Sequence, residues 1–254
     1  MTKLCIKVIS MKDDEIRRLR LEKRFSLDYP DFNIVEALDY RNVSPDILSP
    51  EEKRSGLTPA EVGCTKSHIL AMKSFLDSDN THCLILEDDV LGTTQSIRSV
   101  KSIVNNPENE HIFLLCGGLE GMRNRRFVYG RYDETRKCSK VSIFSVKFLY
   151  RTCSYLISRS AAEHILARQF EQFSRADDWS FLLRGYANVF YNGDFSHPED
   201  LSNSHIENQR KKLKKSFFKQ VFSDGILRTL NKNLSKAVLL CFGKLLGLKR
   251  LVNF

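Results

Sequence analysis

Apolar residues along this chain come in short continuous runs separated by amphipathic stretches, the pattern of buried strands alternating with helices. Leu4 to Ile9 reads as a buried strand. A helix follows from about Asp14 to Phe25, with Ser10 or Asp13 as its cap, acids in its first turn and arginines and lysines later. Val35 to Leu38 is a second short strand, and Pro45, Pro50, Gly56 and Pro59 punctuate a loop-rich stretch. Thr58-Pro59-Ala60-Glu61 has the form of a helix start, with a capping hydroxyl, Pro at the first position and Glu at the third. That helix runs to about Leu76. Leu84 to Leu86 forms the next strand, and it ends at Glu87-Asp88-Asp89. Helical spacing returns over Ser96 to Val104 and Ser160 to Phe170, and strands over Ile112 to Cys116, Tyr155 to Ile157 and Ala187 to Tyr191. Glu120 to Lys140 is polar and reads as a mobile loop or small hairpin.

This alternation predicts an α/β domain over residues 1–205. Residues 206–254 differ in kind. Lys211-Lys212-Leu213-Lys214-Lys215 is a basic cluster, and beyond it Leu227, Leu230, Leu234, Val238, Cys241 and Leu245 recur on one helical face. A basic amphipathic tail suggests a helix lying on an anionic membrane surface, the alternative being that it packs against the domain or a second copy of the chain.

Charge separates the same two parts. The chain of 254 residues carries a net +9, yet residues 206–254 hold twelve lysines and arginines against two acids, leaving the body near neutral. A neutral body argues against nucleic acid as a partner. Seven cysteines without a CxxC fit buried thiols in a reducing compartment. The first strand is cut by Lys7, so it is no signal peptide, and no apolar run reaches 18 residues. A cytoplasmic protein is expected.

The acids after the third strand carry the chemistry. Three adjacent carboxylates repel one another, and a divalent cation with a phosphate behind it removes that repulsion. Mg²⁺ and Mn²⁺ take such hard oxygen ligands. Alternate positions of an extended segment point the same way, so Glu87 and Asp89 would face one site while Asp88 points elsewhere, for example to a ribose hydroxyl. In Glu61-Val62-Gly63-Cys64-Thr65-Lys66-Ser67-His68, Cys64 and His68 share a helix face, either as ordinary core residues or as part of a site. Asp177-Asp178-Trp179 sets paired acids beside the only tryptophan. Either it offers a sugar platform with a general base, or it is a helix cap with its ring in the core. His197-Pro198-Glu199-Asp200 and Ser204-His205-Ile206 close the body, and His205 would reach the cation from the far side.

Ile6 to Ser10, Arg17-Arg18, Glu61-x-Gly63-Cys64-x-x-Ser67-His68 and Ile85 to Asp89 together resemble glycosyltransferase family 25. Ser154 to Ser158, Ala161-Ala162, Asp177-Asp178, Pro198 and Ser204-x-Ile206 continue the likeness, which spans about residues 3 to 206. The family includes bacterial lipooligosaccharide sugar transferases and collagen galactosyltransferases, and the export-free character here resembles the bacterial branch. The resemblance implies a GT-A-like fold, Mn²⁺ or Mg²⁺, a UDP-galactose or UDP-glucose donor, inversion at the anomeric carbon and a lipooligosaccharide acceptor at the inner face of the cytoplasmic membrane. On that footing Asp89, Glu87 and His205 hold the metal, Asp88 takes the ribose, and Ser10, Arg17, Arg18, Ser67 and His68 lie on the donor side. Asp177 or Asp178 removes the acceptor proton, and Trp179 supports the acceptor. A metal-dependent phosphohydrolase and a non-catalytic membrane-associated module are the competing readings.

Overall fold

A computed structural model describes residues 3–198, 226–243 and 245–252. Among the described residues nine strands form one mixed sheet: β1 (Leu4–Ser10), β2 (Phe32–Glu36), β3 (His82–Glu87), β4 (Phe113–Gly117), β5 (Tyr129–Asp133), β6 (Cys138–Val141), β7 (Ser154–Ser158), β8 (Val189–Phe195) and β9 (Lys249–Arg250). Their order is β2-β1-β3-β7-β4-β8-β6-β5-β9. β1 pairs in parallel with β2 and β3, and β4 with β8, while β7 runs antiparallel between β3 and β4.

The helices are α1 (Glu15–Arg24), α2 (Pro50–Ser55), α3 (Pro59–Leu76), α4 (Thr94–Val104), α5 (Arg159–Glu171), α6 (Trp179–Leu182) and α7 (Ile226–Phe242). Strand alternation sorts the core into two layers. Ile6, Val8, Leu84 and Leu86 pack with Leu21 of α1 and Ile97 and Val100 of α4. Ile9, Cys83, Ile85 and Tyr155 pack on the other face with Met72 and Phe75 of α3, Ile165 of α5 and Trp179 of α6. Burial on both faces explains why these strands read as unbroken apolar runs.

Local chemistry places the elements. Thr58 and Glu61 close the expected capping box on α3, with Glu61 Oε2 accepting from the Thr58 N–H at 2.9 Å. Glu61 therefore serves the helix end. At α1 the capping position is Asp14, without a side-chain cap bond, in place of Ser10 or Asp13. The polar stretch from Glu120 to Lys140 is a hairpin: β5 and β6 pair with each other, and β6 pairs with β8 inside the sheet.

Ser10, Glu87, Gly117 and Phe195 end β1, β3, β4 and β8 at one edge of the sheet, and Ser154 begins β7 there. Ligands of open α/β sheets collect at this carboxyl edge. The backbone is crowded at that edge. A Cβ on Gly117 (φ +154°) would lie 1.7 Å from the Phe195 carbonyl oxygen, and one on Gly118 (φ +84°) 2.4 Å from Cys153 Sγ. Only glycine lets β4, β8 and the approach to β7 meet so closely.

The tail returns to the body. Ser235 and Leu239 of α7 are buried, Leu239 within the main core, and Lys236 Nζ lies 5.3 Å over the Phe127 ring. β9 then pairs with β5. The expectation of a helix lying free on a membrane is corrected for this face: these small and apolar side chains pack against Phe127 to Tyr129. Leu234, Leu240, Leu245 and Leu246 remain exposed. His205 and the Lys211 to Lys215 cluster lie outside the described residues. Among the described residues, no helix is long and apolar enough to cross a membrane.

Candidate metal and donor site

The pleat of β3 splits its terminal acids. Glu87 follows Ile85 to the α3 side, where Thr152 Oγ1 donates to its carboxylate and His68 Nε2 lies 3.3 Å from Oε1. Asp88 follows Leu86 to the α1 side, where Arg17 Nη1 donates to Oδ1 at 3.1 Å. Asp89, in the turn beyond the strand, lies 3.5 Å from Arg17 Nη1 and 3.7 Å from His197 Nε2. Ligand atoms of Glu87, Asp89 and His197 all lie within 4.8 Å of one another. The expected division, with Glu87 and Asp89 facing one site and Asp88 another, is what the strand geometry produces.

His197 owes its place to β8. That strand runs beyond the expected Tyr191 to Phe195, and Ser196 then exchanges two backbone hydrogen bonds with Leu91, at 2.8 and 2.9 Å. His197 Nδ1 is 2.8 Å from the Pro198 carbonyl oxygen, which only accepts, so Nδ1 carries a proton. In the neutral ring Nε2 then turns a lone pair toward Asp89, the orientation of a metal-ligating imidazole held by a carbonyl. Asp89 Oδ1 is buried and has no hydrogen-bond partner. Two carboxylates, one of them with a buried oxygen that lacks a hydrogen-bond partner, and an imidazole nitrogen brought within 4.8 Å of one another fit a divalent cation.

The electrostatics agree. Burial, then the adjacent Glu87 charge, pushes the Asp89 carboxyl up to about 6. Burial also works against Glu87, but His68 and Thr152 more than offset it and hold that carboxyl well below its ordinary value. Asp88 is raised, chiefly by burial, with Ser10 and Arg17 opposing. Arg17 is held protonated by Asp88, Asp89 and Asp14 against its own desolvation.

Other expected site residues separate. Ser10 is buried beside Asp88, and Arg18 Nη1 donates to its hydroxyl at 3.2 Å. Arg18 also donates to the carbonyls of Met11 and Lys12, so it braces the β1–α1 loop. Ser67 donates to the Gly63 carbonyl at 2.7 Å and accepts from the Leu38 N–H at 2.8 Å. Its hydroxyl is committed to joining α3 to the chain after β2, which corrects the donor-side expectation. His68 sits behind Glu87 with Nδ1 2.8 Å from the Tyr155 hydroxyl oxygen, in the position of a group that orients a ligand.

The paired acids of residues 177 and 178 also part. Asp178 caps α6 by accepting from the Phe181 N–H at 3.3 Å. Asp177 accepts from the Arg151 N–H at 3.4 Å, next to the Thr152 that bonds Glu87. Arg151 itself holds a left-handed φ of 66°, a strained backbone beside the cluster. Trp179 is 1 % exposed, packs tilted against Phe113 and edge-on to Tyr155, and donates Nε1–H to the Arg151 carbonyl. It presents no face to solvent, so the sugar-platform expectation gives way to a core residue.

Sequence reasoning missed His197, Thr152 and Tyr155 as partners. His197 stood in a motif already singled out, but only the length of β8 and its bridge to Leu91 bring it to Asp89. Thr152 and Tyr155 reach Glu87 and His68 through the antiparallel insertion of β7, which no local pattern encodes.

Solved structures similar to the chain include S. aureus TarS 1–349 in complex with UDP-GlcNAc, at 12 % identity and TM-score 0.44, covering 81 % of this chain and 61 % of that one. A glycosyltransferase involved in glycosylating the major capsid of PBCV-1 shares 10 % identity at TM-score 0.42, over 82 % and 99 % of the two chains. The T. maritima inositol-1-phosphate CTP transferase shares 13 % at TM-score 0.42, over 85 % and 97 %. At such scores the likeness is loose, and neither donor nor acceptor follows from it. No curated protein sequence matches the chain. The model of glycosyltransferase family 25, described as an LPS biosynthesis protein, matches residues 4–180, which takes in β1, Arg17, His68, the acids after β3 and Asp177. The chain belongs to glycosyltransferase family 25.

Proposed function

We propose that this family 25 chain is a metal-dependent inverting transferase that moves galactose or glucose from a UDP-sugar to a lipooligosaccharide acceptor. The observation that carries the reading is the convergence of Glu87, Asp89 and His197 on one point, with Asp89 Oδ1 buried and unpartnered. These residues would hold Mn²⁺ or Mg²⁺, His197 standing where His205 was expected. When bound, such a cation offsets the charge that develops on the departing nucleoside diphosphate. Arg17, within reach of Asp88 and Asp89, would be placed to pair with the donor phosphates beside these carboxylates. Ser10 and Asp88 line the nucleoside side. Asp177 takes the proton of the acceptor hydroxyl as it attacks the far face of the sugar. The exposed leucines of α7 and the basic cluster before it hold the enzyme at an anionic membrane surface, where such acceptors grow.

Calorimetric titration with UDP in the presence and absence of Mn²⁺ tests the site. Binding should require Mn²⁺ and vanish in Asp89→Asn; equal metal dependence in that variant overturns the assignment. Consumption of UDP-galactose or UDP-glucose should in turn require a sugar acceptor.

A further inference from the structure

Behind the carboxylates lies a second donor set of different chemistry. Cys64 Sγ, His68 Nε2 and a Glu87 carboxylate oxygen lie within 4.8 Å of one another. Cys64 and His68 stand one turn apart on α3, and Glu87 meets them from the end of β3. We propose that Cys64, His68 and Glu87 form a binding site for a thiophilic divalent cation such as Zn²⁺, distinct from the oxygen-rich set and sharing Glu87 with it.

Three observations carry this. First, the spacing suits one ion: bonds of about 2.3 Å to sulfur and 2.0–2.2 Å to nitrogen and oxygen span these atoms after small side-chain shifts. Second, His68 is 2 % exposed and its Nε2 is aimed at Glu87, 3.3 Å from Oε1, without the geometry of a well-formed hydrogen bond. A buried imidazole nitrogen left in this way lacks a proton partner or a metal. Third, the outer contacts are those of a metal site. His68 Nδ1 lies 2.8 Å from the Tyr155 hydroxyl oxygen, so the ring is held with Nε2 toward Glu87. Thr152 Oγ1 holds the carboxylate. Cys64 is half-exposed, which leaves an entry path.

Softness separates the two sets. A thiolate with an imidazole selects Zn²⁺ over Mn²⁺ or Mg²⁺, whereas two carboxylates at an open edge accept the harder ions. On binding, the Cys64 thiol loses its proton to solvent and the ion gains bonds to sulfur, nitrogen and one oxygen. Because Glu87 belongs to both sets, a Zn²⁺ ion on the sulfur side withdraws it from Asp89 and His197. Zn²⁺ would thus antagonise the harder cation. The binding itself does not rest on the transferase reading; the antagonism does.

Cobalt(II) titration of the full chain tests the binding. A thiolate-to-cobalt charge-transfer band should appear and saturate at one equivalent, disappear in Cys64→Ser and persist in Asp89→Asn. No such band, or one undiminished in Cys64→Ser, overturns the site. In the unmodified chain, Zn²⁺ should slow alkylation of Cys64 at least tenfold, read by peptide mass spectrometry, while Mn²⁺ leaves it unchanged and exposed Cys241 serves as the control. Equal alkylation with and without Zn²⁺ also sinks it. If the cobalt band behaves as expected but UDP never binds with Mn²⁺, the transferase reading fails and the sulfur site stands.

Discussion

His68 stands between Tyr155 and Glu87, its Nδ1 2.8 Å from the Tyr155 hydroxyl oxygen and its Nε2 3.3 Å from Glu87 Oε1. The arrangement passes order from the core to the site. Tyr155 is fully buried between Phe113 and Trp179, so the imidazole is fixed by a ring that cannot move. Tyr155→Phe keeps that packing and removes only the hydroxyl. Mn²⁺ affinity should fall about 10-fold or more, the usual effect of losing an outer partner of a ligand, with about 1–2 kcal/mol of stability lost through the orphaned Nδ1. Unchanged Mn²⁺ affinity by calorimetry would show that His68 does not position Glu87.

Arg17 currently does part of a cation's work. The Asp88 side chain is 7 % exposed and has Arg17 Nη1 at 3.1 Å, with Asp89 at 3.5 Å from the same atom. Arg17→Gln should cost about 1–3 kcal/mol in the metal-free protein, less than a fully buried pair because Arg17 is partly solvated. The same change removes a positive charge beside Asp88 and Asp89. Mn²⁺ should then bind more tightly and UDP more weakly. A parallel loss of both affinities would place Arg17 among the purely structural residues.

The two neighbouring acids make opposite predictions. Asp178 caps α6, and asparagine caps nearly as well, so Asp178→Asn should change little, while Asp178→Ala loses about 1 kcal/mol of stability. Asp177 accepts from Arg151, the residue before the Thr152 that bonds Glu87. Asp177→Asn should lower turnover about 10²–10⁴-fold with Mn²⁺-dependent UDP binding intact. If turnover survives there and collapses in Asp178→Asn, the roles are reversed.

His82 supplies a pH dependence remote from the chemistry. It begins β3, buried, with Nε2 2.9 Å from the Asn109 carbonyl oxygen, and burial lowers its pKa despite that bond. The unfolded chain takes up a proton near the ordinary histidine value of about 6.5, before the folded chain does. The contribution is therefore complete above about pH 6.5 and is lost as pH falls below it, by at most about 1.4 kcal/mol per pH unit. Denaturant unfolding at pH 7.5 and 5.5 should show a larger loss for the native chain than for His82→Gln; parallel losses would rule His82 out.

Much of the architecture was legible because its signals are local. The apolar runs of β1, β3, β4 and β7, and the Thr58-Pro59-Ala60-Glu61 start of α3, carry their own geometry. The separation of Glu87 and Asp89 from Asp88 follows from the two-residue period of a strand. The hairpin of β5 and β6 was less clear, since these short, largely polar strands lack the apolar run or alternation that betrays a strand. The tail was misjudged in part because an amphipathic face cannot say what covers it. Leu239 finds the core near Phe127 and Tyr129, whereas Leu240 does not.

By itself the chain determined that three carboxylates would end a buried strand, that Glu87 and Asp89 would share a side, and that the plan is an α/β sheet. Covalent neighbours and short-range periodicity suffice for that. Tertiary structure decided which partners surround the acids. β7 enters antiparallel beside β3 and brings Thr152 and Tyr155, while β8 runs on to Ser196 and sets His197 against Asp89. It also turned Trp179 inward and left Asp177 nearer the site than Asp178. These choices depend on strand order and strand length, which arise from packing between segments distant in sequence (65 residues for Thr152 and Glu87, 87 for Tyr155 and His68), and such long-range packing leaves no trace in local spacing.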